Sequence, residues 1–254
     1  MSEKLTSHDI AKMIDHSLLH PTLGDKELKE GCELALKYDV GSCCVKPYHV
    51  KMTADLLKGS TVQVCSVVSF PHGNSTTKIK VAETEQSIAD GATEIDLVCN
   101  VARVLEGNWD YVEAEISAVT AVTKANNAFV KLIYAADYLN NEQIAQLSQV
   151  CNRAGVKWLK TSTGYNYQTN DEGQLFYEGA SDRVLKIMHD NAGEGVEVKA
   201  AGKCCDLARF MEVREKYGVT RVGTGQTAAV VEEAREKLDG ATAEAVSTDG
   251  ASEY

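Results

Sequence analysis

Short β-rich apolar runs alternate with longer helical ones along almost the whole chain, and this alternation restricts the fold more than any other feature. Strand-like runs occupy residues 11–19, 41–45, 62–70, 93–98, 129–134, 156–161, 196–201 and 220–224. Between them lie segments 25–39, 76–91, 108–126, 141–155, 180–193 and 206–218, several with apolar residues at i, i+3, i+4 and i+7. Gly91, Gly155 and Gly218 stand where helix C-termini prefer glycine. Strand, helix and strand joined by short links demand a parallel sheet with crossover helices. About eight such units fit a closed (β/α)8 TIM barrel better than an open doubly wound sheet. No GxGxxG opens a helix after an early strand, so the dinucleotide-binding signature is missing. The expectation is α/β: a single barrel domain over residues 1–238. The remainder, 239–254, is small, polar and acidic and reads as a flexible tail.

Charge and composition narrow the partners. A formal net charge of −11 argues against a nucleic-acid surface. No run approaches the ~18 apolar residues of a membrane span, and MSEKLTSHDI at the start carries no apolar signal region. A cytoplasmic protein with reduced thiols is expected. The 8 cysteines form no CxxC pair, so no zinc spacing appears, and most should be small buried apolar residues. His16 and His20 are four apart, which suits a metal only on a helix; this segment reads as a strand and no third ligand is evident. No metal is expected.

In a (β/α)8 barrel the chemistry gathers at the C-terminal strand ends. Those ends carry Asp15 and His16, Lys46, Phe70-Pro71-His72-Gly73, Asp96 and Asn100, Lys131, Lys160, Lys199 and Gly223-Thr224-Gly225. Three or four lysines around one mouth should repel each other, and repulsion and desolvation both lower a lysine pKa. A neutral amine can attack a carbonyl and form a Schiff base. Asp96 lies in the apolar strand EIDLV, and a lysine–aspartate–lysine arrangement of Lys160, Asp96 and Lys199 would satisfy it and supply a proton relay. The turns TGY (163–165), AGK (201–203) and GTGQ (223–226) are natural anion cradles, which makes Thr163, Gly164, Gly202, Lys203, Gly223, Thr224 and Gly225 the candidate phosphate-binding residues.

The stretches IDHSLL (14–19), CVKP (44–47), VVSFPHG (67–73), GATEIDLV (91–98), VKLI (130–133), LKTSTGY (159–165), VKAAG (198–202) and RVGTG (221–225) come in an order and spacing that resembles the deoxyribose-phosphate aldolase family, class I Schiff-base aldolases. The resemblance covers residues 10–230. It implies reversible cleavage of 2-deoxyribose 5-phosphate to acetaldehyde and glyceraldehyde 3-phosphate, without cofactor or metal. Lys160 would be the Schiff-base lysine, Lys199 the cation that lowers its pKa, and Asp96 part of the proton relay through a water. Tyr254 would match the tail tyrosine that some members fold over the site. His72 is a weaker candidate near the site, and Cys44 a thiol that aldehyde products could modify. The partner is a small phosphorylated sugar or aldehyde, and the expected assembly is a homo-oligomer, a dimer in the first instance.

The chain departs from the family pattern in four places. Lys203 replaces a second glycine, GTGQ (223–226) replaces paired small residues with serine, YAAD (134–137) replaces a glutamate and threonine, and Lys46 stands where asparagine is usual. These changes surround substrate recognition. They leave open a class I aldolase for a different or unphosphorylated acceptor, and a catalytically silent phosphate-binding barrel.

Overall fold

The computed structural model describes residues 4–240. The parallel strands β1 (Ile14–Leu18), β2 (Ser42–Val45), β3 (Gln63–Val68), β4 (Glu94–Val98), β5 (Phe129–Ile133), β6 (Trp158–Lys160), β7 (Glu197–Ala201) and β8 (Val219–Thr224) close into one barrel. Each pairs with its neighbours in sequence, and β8 returns to β1. Helices fill the crossovers, so the fold is the expected (β/α)8 TIM barrel. The amphipathic segments form α2 (Asp25–Tyr38), α4 (Thr77–Ala89), α6 (Trp109–Ala125), α7 (Asn141–Ala154), α8 (Asp182–Asn191) and α9 (Leu207–Tyr217). Gly155 and Gly218 cap α7 and α9 in the left-handed conformation, whereas α4 is capped by Asp90, one residue before Gly91.

The first strand is shorter than the run 11–19 suggests. Its opening residues belong to α1 (Ser7–Met13), which Thr6 and Asp9 start with a reciprocal capping box. Ile10, Ala11 and Met13 are buried like the strand that follows, so the end of the helix reads as the opening of the strand. Three more helices escape the periodicity: α3 (Val50–Leu56), α5 (Val101–Leu105) and α10 (Thr227–Ala234). A two-stranded ribbon, Gln168–Thr169 with Leu175–Phe176, rises from the loop between β6 and α8.

Strand alternation sorts the barrel wall into two chemistries. Ile95, Leu97, Leu132, Leu159, Val198 and Ala200 join the main apolar core beneath the helices. The intervening Glu94, Asp96, Lys131, Lys160 and Lys199 meet one another inside the barrel. Barrel interiors are ordinarily filled by branched apolar layers, so an ionic interior is the candidate functional site.

At the mouth, the turn after β3 is pressed against the strand β4. Gly73 has φ +68°, and a Cβ there would lie 1.9 Å from the Cys99 carbonyl oxygen. Gly73→Ala should therefore cost about 2 kcal/mol or more from left-handed strain plus overlap. A urea midpoint equal to wild type would show that this turn can shift.

Candidate active site

Three lysines converge on one carboxylate. Asp96 Oδ2 lies 2.7 Å from Lys160 Nζ and 2.8 Å from Lys199 Nζ, and Asp96 Oδ1 lies 3.1 Å from Lys131 Nζ. Register brings them together: Asp96 faces Lys131 across the β4–β5 ladder, and Lys160 faces Lys199 across β6–β7. The expected lysine–aspartate–lysine arrangement is present. The geometry also distinguishes the lysines. Lys131 meets Asp15, Glu94 and Asp96, Lys199 meets Asp15 and Asp96, and Lys160 meets Asp96. The Lys131 and Lys199 side chains are 0% exposed, that of Lys160 4%. The nitrogen nearest the opening thus carries the fewest anionic contacts.

Sequence reasoning placed Asp15 at a strand end but missed Glu94 and Arg221, which with it form the lower half of this network. Asp15 Oδ2 lies 2.5 Å from Lys199 Nζ, and Arg221 bridges Asp15 and Glu94 at 2.5 and 3.0 Å. Glu94 was unreadable as a site residue because a charge at a strand's start looks solvated, and Arg221, within β8, because its reach to Asp15 and Glu94 is known only from the register. Burial alone would raise Asp96, but the charges of Lys131, Lys160 and Lys199 overcome it and hold its carboxyl well below the usual range. Asp15 is lowered in the same way, against burial, by Lys131, Lys199 and Arg221. The expected depression of the lysines by mutual repulsion is reversed for two of them. Burial pushes Lys199 and Lys131 down, yet Asp15 and Asp96 outweigh it and both are raised. Each is a fixed cation.

Two thiols complete the cluster. Cys65 Sγ lies 3.1 Å from Asp96 Oδ1 and Cys44 Sγ 3.7 Å from Asp96 Oδ2. Their donor atoms lie within 4.8 Å of one another, but the three surrounding ammonium groups make this a poor seat for a cation. Of the remaining thiols, Cys32, Cys43, Cys99, Cys151 and Cys204 are buried as expected, whereas Cys205 is exposed.

The cradle candidates ring the mouth unevenly. Gly164 follows β6 with open space where a Cβ would stand, and its N–H is 3.1 Å from Ser162 Oγ. Thr163 Oγ1 donates to Asn166 Oδ1 at 2.6 Å and accepts from Tyr165 N at 3.0 Å. Gly202 and Lys203 both have positive φ, +87° and +58°. Lys203 therefore preserves a glycine-like turn, and its ammonium stands 5.1 Å over the Tyr177 ring. A cavity of about 520 Å³ opens beside it, bounded by Phe176, Tyr177, Glu178 and Arg209. The reading of GTGQ as one turn needs correcting. Gly223 and Thr224 are still strand, and a Cβ on Gly223 would lie 3.6 Å from Lys199 Cε, inside the wall. Gly225 and Gln226 lie beyond β8, and a Cβ on Gly225 would meet open space.

Other candidates separate from the cluster. Lys46 Nζ is held by the carbonyls of His20 and Leu23 at 3.0 and 2.6 Å. His72 is exposed. His16 Nδ1 lies 2.8 Å from Thr227 Oγ1, while His20 turns to Thr22 at 2.6 Å, so the pair forms no shared site. Tyr254 lies outside the described residues, as does the tail from 241 onward.

Buried His16 is lowered to about 4 by desolvation. A free histidine titrates near 6.5, so as pH falls from 6.5 to 4 the unfolded chain binds the proton first and stability drops. The loss is on the order of 3 kcal/mol by linkage. His16→Gln should flatten the pH 7-to-4 decline in urea midpoint relative to wild type. Parallel declines would sink this assignment.

Comparison with known proteins agrees with this geometry. The family model for DeoC/LacD family aldolases matches residues 10–202. The chain is 43% identical over 247 residues to the deoxyribose-phosphate aldolase of Rhodopirellula baltica, covering 97% of this chain and 98% of that one. It is 37% identical over 226 residues to the enzyme of the same name from Treponema denticola, covering 88% and 98%. Among solved structures, the tetrameric deoxyribose phosphate aldolase of Aeropyrum pernix superposes with a TM-score of 0.80 at 25% identity, covering 93% of this chain and 95% of that one. Among the described residues no helix is long and apolar enough to cross a membrane. A closed parallel barrel with lysines gathered at its mouth, together with a family match across most of its length, makes this chain a member of the DeoC/LacD family of aldolases.

Proposed function

We propose that the protein is a class I aldolase that reversibly cleaves 2-deoxy-D-ribose 5-phosphate to acetaldehyde and D-glyceraldehyde 3-phosphate. The observation that carries this is the sharing of one carboxylate, Asp96, between a lysine at the opening, Lys160, and a fully buried cation, Lys199. Its relatives' names support the substrate.

In this reading Lys160 attacks the C1 aldehyde of the open-chain sugar, and loss of water leaves an iminium. The iminium accepts the electron pair of the breaking C2–C3 bond as the C3 hydroxyl gives up its proton. Glyceraldehyde 3-phosphate departs, and acetaldehyde remains on Lys160 as an enamine. A proton delivered to C2 and addition of water then release it. Asp96, through a water, is the relay for these protons, and Lys199 stays charged throughout. The phosphate lies in backbone N–H cradles at Thr163–Gly164, Gly202–Lys203 and Thr224–Gly225. Gly223 contributes by leaving room for the Lys199 stem. Tyr254 is proposed as a proton carrier in the reaction, testable by its deletion. A cytoplasmic homo-oligomer, a dimer in the first instance, completes the reading.

The test is reductive trapping. The protein is incubated with 2-deoxyribose 5-phosphate, borohydride is added, and the modified peptide is mapped by mass spectrometry. A two-carbon adduct on Lys160 is expected. An adduct with acetaldehyde but none with the sugar phosphate would keep the chemistry and overturn the substrate. No adduct with either would favour a silent barrel.

A further inference from the structure

Asp137 stands in the loop after β5, where YAAD departs from the family pattern, and nothing in the sequence marks it as functional. It is 7% exposed and its carboxylate accepts from four donors. Oδ2 takes Ser162 Oγ at 3.0 Å and Asn166 Nδ2 at 3.1 Å. Oδ1 takes the backbone N–H groups of Glu178 and Gly179 at 2.6 and 2.9 Å. Its own loop is pinned to β6, because Tyr134 N and Ala136 N donate to the carbonyls of Lys160 and Thr161 at 2.9 and 3.0 Å.

Both ends of this clasp lead to a cradle. On one side, Ser162 Oγ receives Gly164 N, and Asn166 receives Thr163 Oγ1. On the other, Gly179 lies directly against Gly202: a Cβ on Gly179 would approach the Gly202 carbonyl to 3.0 Å. Ala180 N donates to Gly202 O at 3.1 Å, and Tyr177 carries the Lys203 ammonium on its ring. Thus one buried carboxylate anchors the turn after β6 and, through residues 177–180, the turn after β7. Only an acceptor with four lone-pair sites serves all of these donors. An amide would set its NH₂ against Asn166 Nδ2, donor facing donor.

We propose that Asp137 is a positioning residue for the substrate phosphate, holding the β6 and β7 turns in one register so that their N–H groups converge on the same anion. The proposal rests on the phosphorylated-sugar reading above. It assigns Asp137 no role in the chemistry at Lys160.

The test compares wild type, Asp137→Asn, and the exchange pair Asp137→Asn with Asn166→Asp, which restores a donor–acceptor match with the partners reversed. Kinetics are measured with 2-deoxyribose 5-phosphate and with unphosphorylated 2-deoxyribose, alongside borohydride trapping of acetaldehyde on Lys160. Asp137→Asn should raise KM for the phosphorylated sugar on the order of tenfold, with kcat/KM for the unphosphorylated sugar and the trapping yield unchanged. The exchange pair should recover part of the lost affinity. An equal loss on both sugars, or a fall in trapping, would overturn the proposal, because Asp137 would then be supporting the barrel mouth as a whole. A wild-type preference for the phosphorylated sugar retained in full by Asp137→Asn would overturn the clasp alone. A wild type without that preference would overturn the substrate reading, and the clasp with it.

Discussion

Lys160→Met is expected to fold and to lose aldol cleavage by on the order of 10⁴-fold or more, because the step removed is the covalent one. The variant should fold because Asp96 keeps Lys199 and Lys131 at 2.8 and 3.1 Å, so no buried anion is orphaned. Methionine also fills much of the lysine stem's volume in the wall. Lys199→Met gives the contrast that identifies the nucleophile. It removes a cation that meets both Asp15 and Asp96 and makes no contact with the opening. That variant should turn over slowly, yet borohydride should still attach the two-carbon unit to Lys160. The decisive comparison is therefore which variant loses the adduct. If Lys199→Met abolishes trapping while Lys160→Met retains it, the assignment of roles is reversed. If both variants retain wild-type turnover, catalysis by Lys160 and Lys199 is ruled out. Circular dichroism and urea midpoints accompany both, so that lost activity is read against folded protein.

The order of strands was legible because β-branched apolar runs recur at a spacing that a closed barrel accommodates better than an open sheet. Lys160, Lys199 and Asp96 were legible because an ionisable residue in or ending an apolar strand needs a physical reason. What stayed hidden has physical causes of its own. α1 was invisible because its buried Ala11 and Met13 lead directly into the buried Ile14 of β1, with Lys12 the one polar residue between them. Asp15 and Lys131 stood on strand ends, but their part in one ionic layer depends on register, which sets Asp15 beside Gly223 and Lys131 beside Asp96. Arg221 reaches across that layer, a contact that no local pattern announces. The sign of the lysine shifts was misjudged for the same reason. Counting lysines predicted repulsion, whereas Asp15 and Asp96 bring enough negative charge to raise Lys131 and Lys199. Asp137 lies in a loop, and loops carry no periodicity from which its four donors could be inferred.

Asp96→Leu should be the most destabilising single change in the wall, by about 3–5 kcal/mol near neutral pH, since it removes one partner of a buried charge network. Lys160 would lose the carboxylate it meets, while Lys199 and Lys131 would retain Asp15. The pH dependence separates this from a simple packing defect. Wild-type Asp96 is held well below the usual carboxylate range. As pH falls through about 4, the unfolded chain takes up that proton while the folded protein resists it, so wild type loses stability that the variant never had. At the other end Lys199 is raised. As pH climbs past about 10.4, the unfolded lysine sheds its proton first, and the part of wild-type stability that Asp96 confers through Lys199 is lost as well. The stability difference between the two proteins should therefore be widest at intermediate pH and narrow toward both extremes. Urea titrations at pH 3.5, 7 and 10.5 measure it directly. A difference that stays constant across those three would mean that Asp96 contributes volume rather than charge, and an ionic interior of that kind could not serve as a proton relay for Lys160.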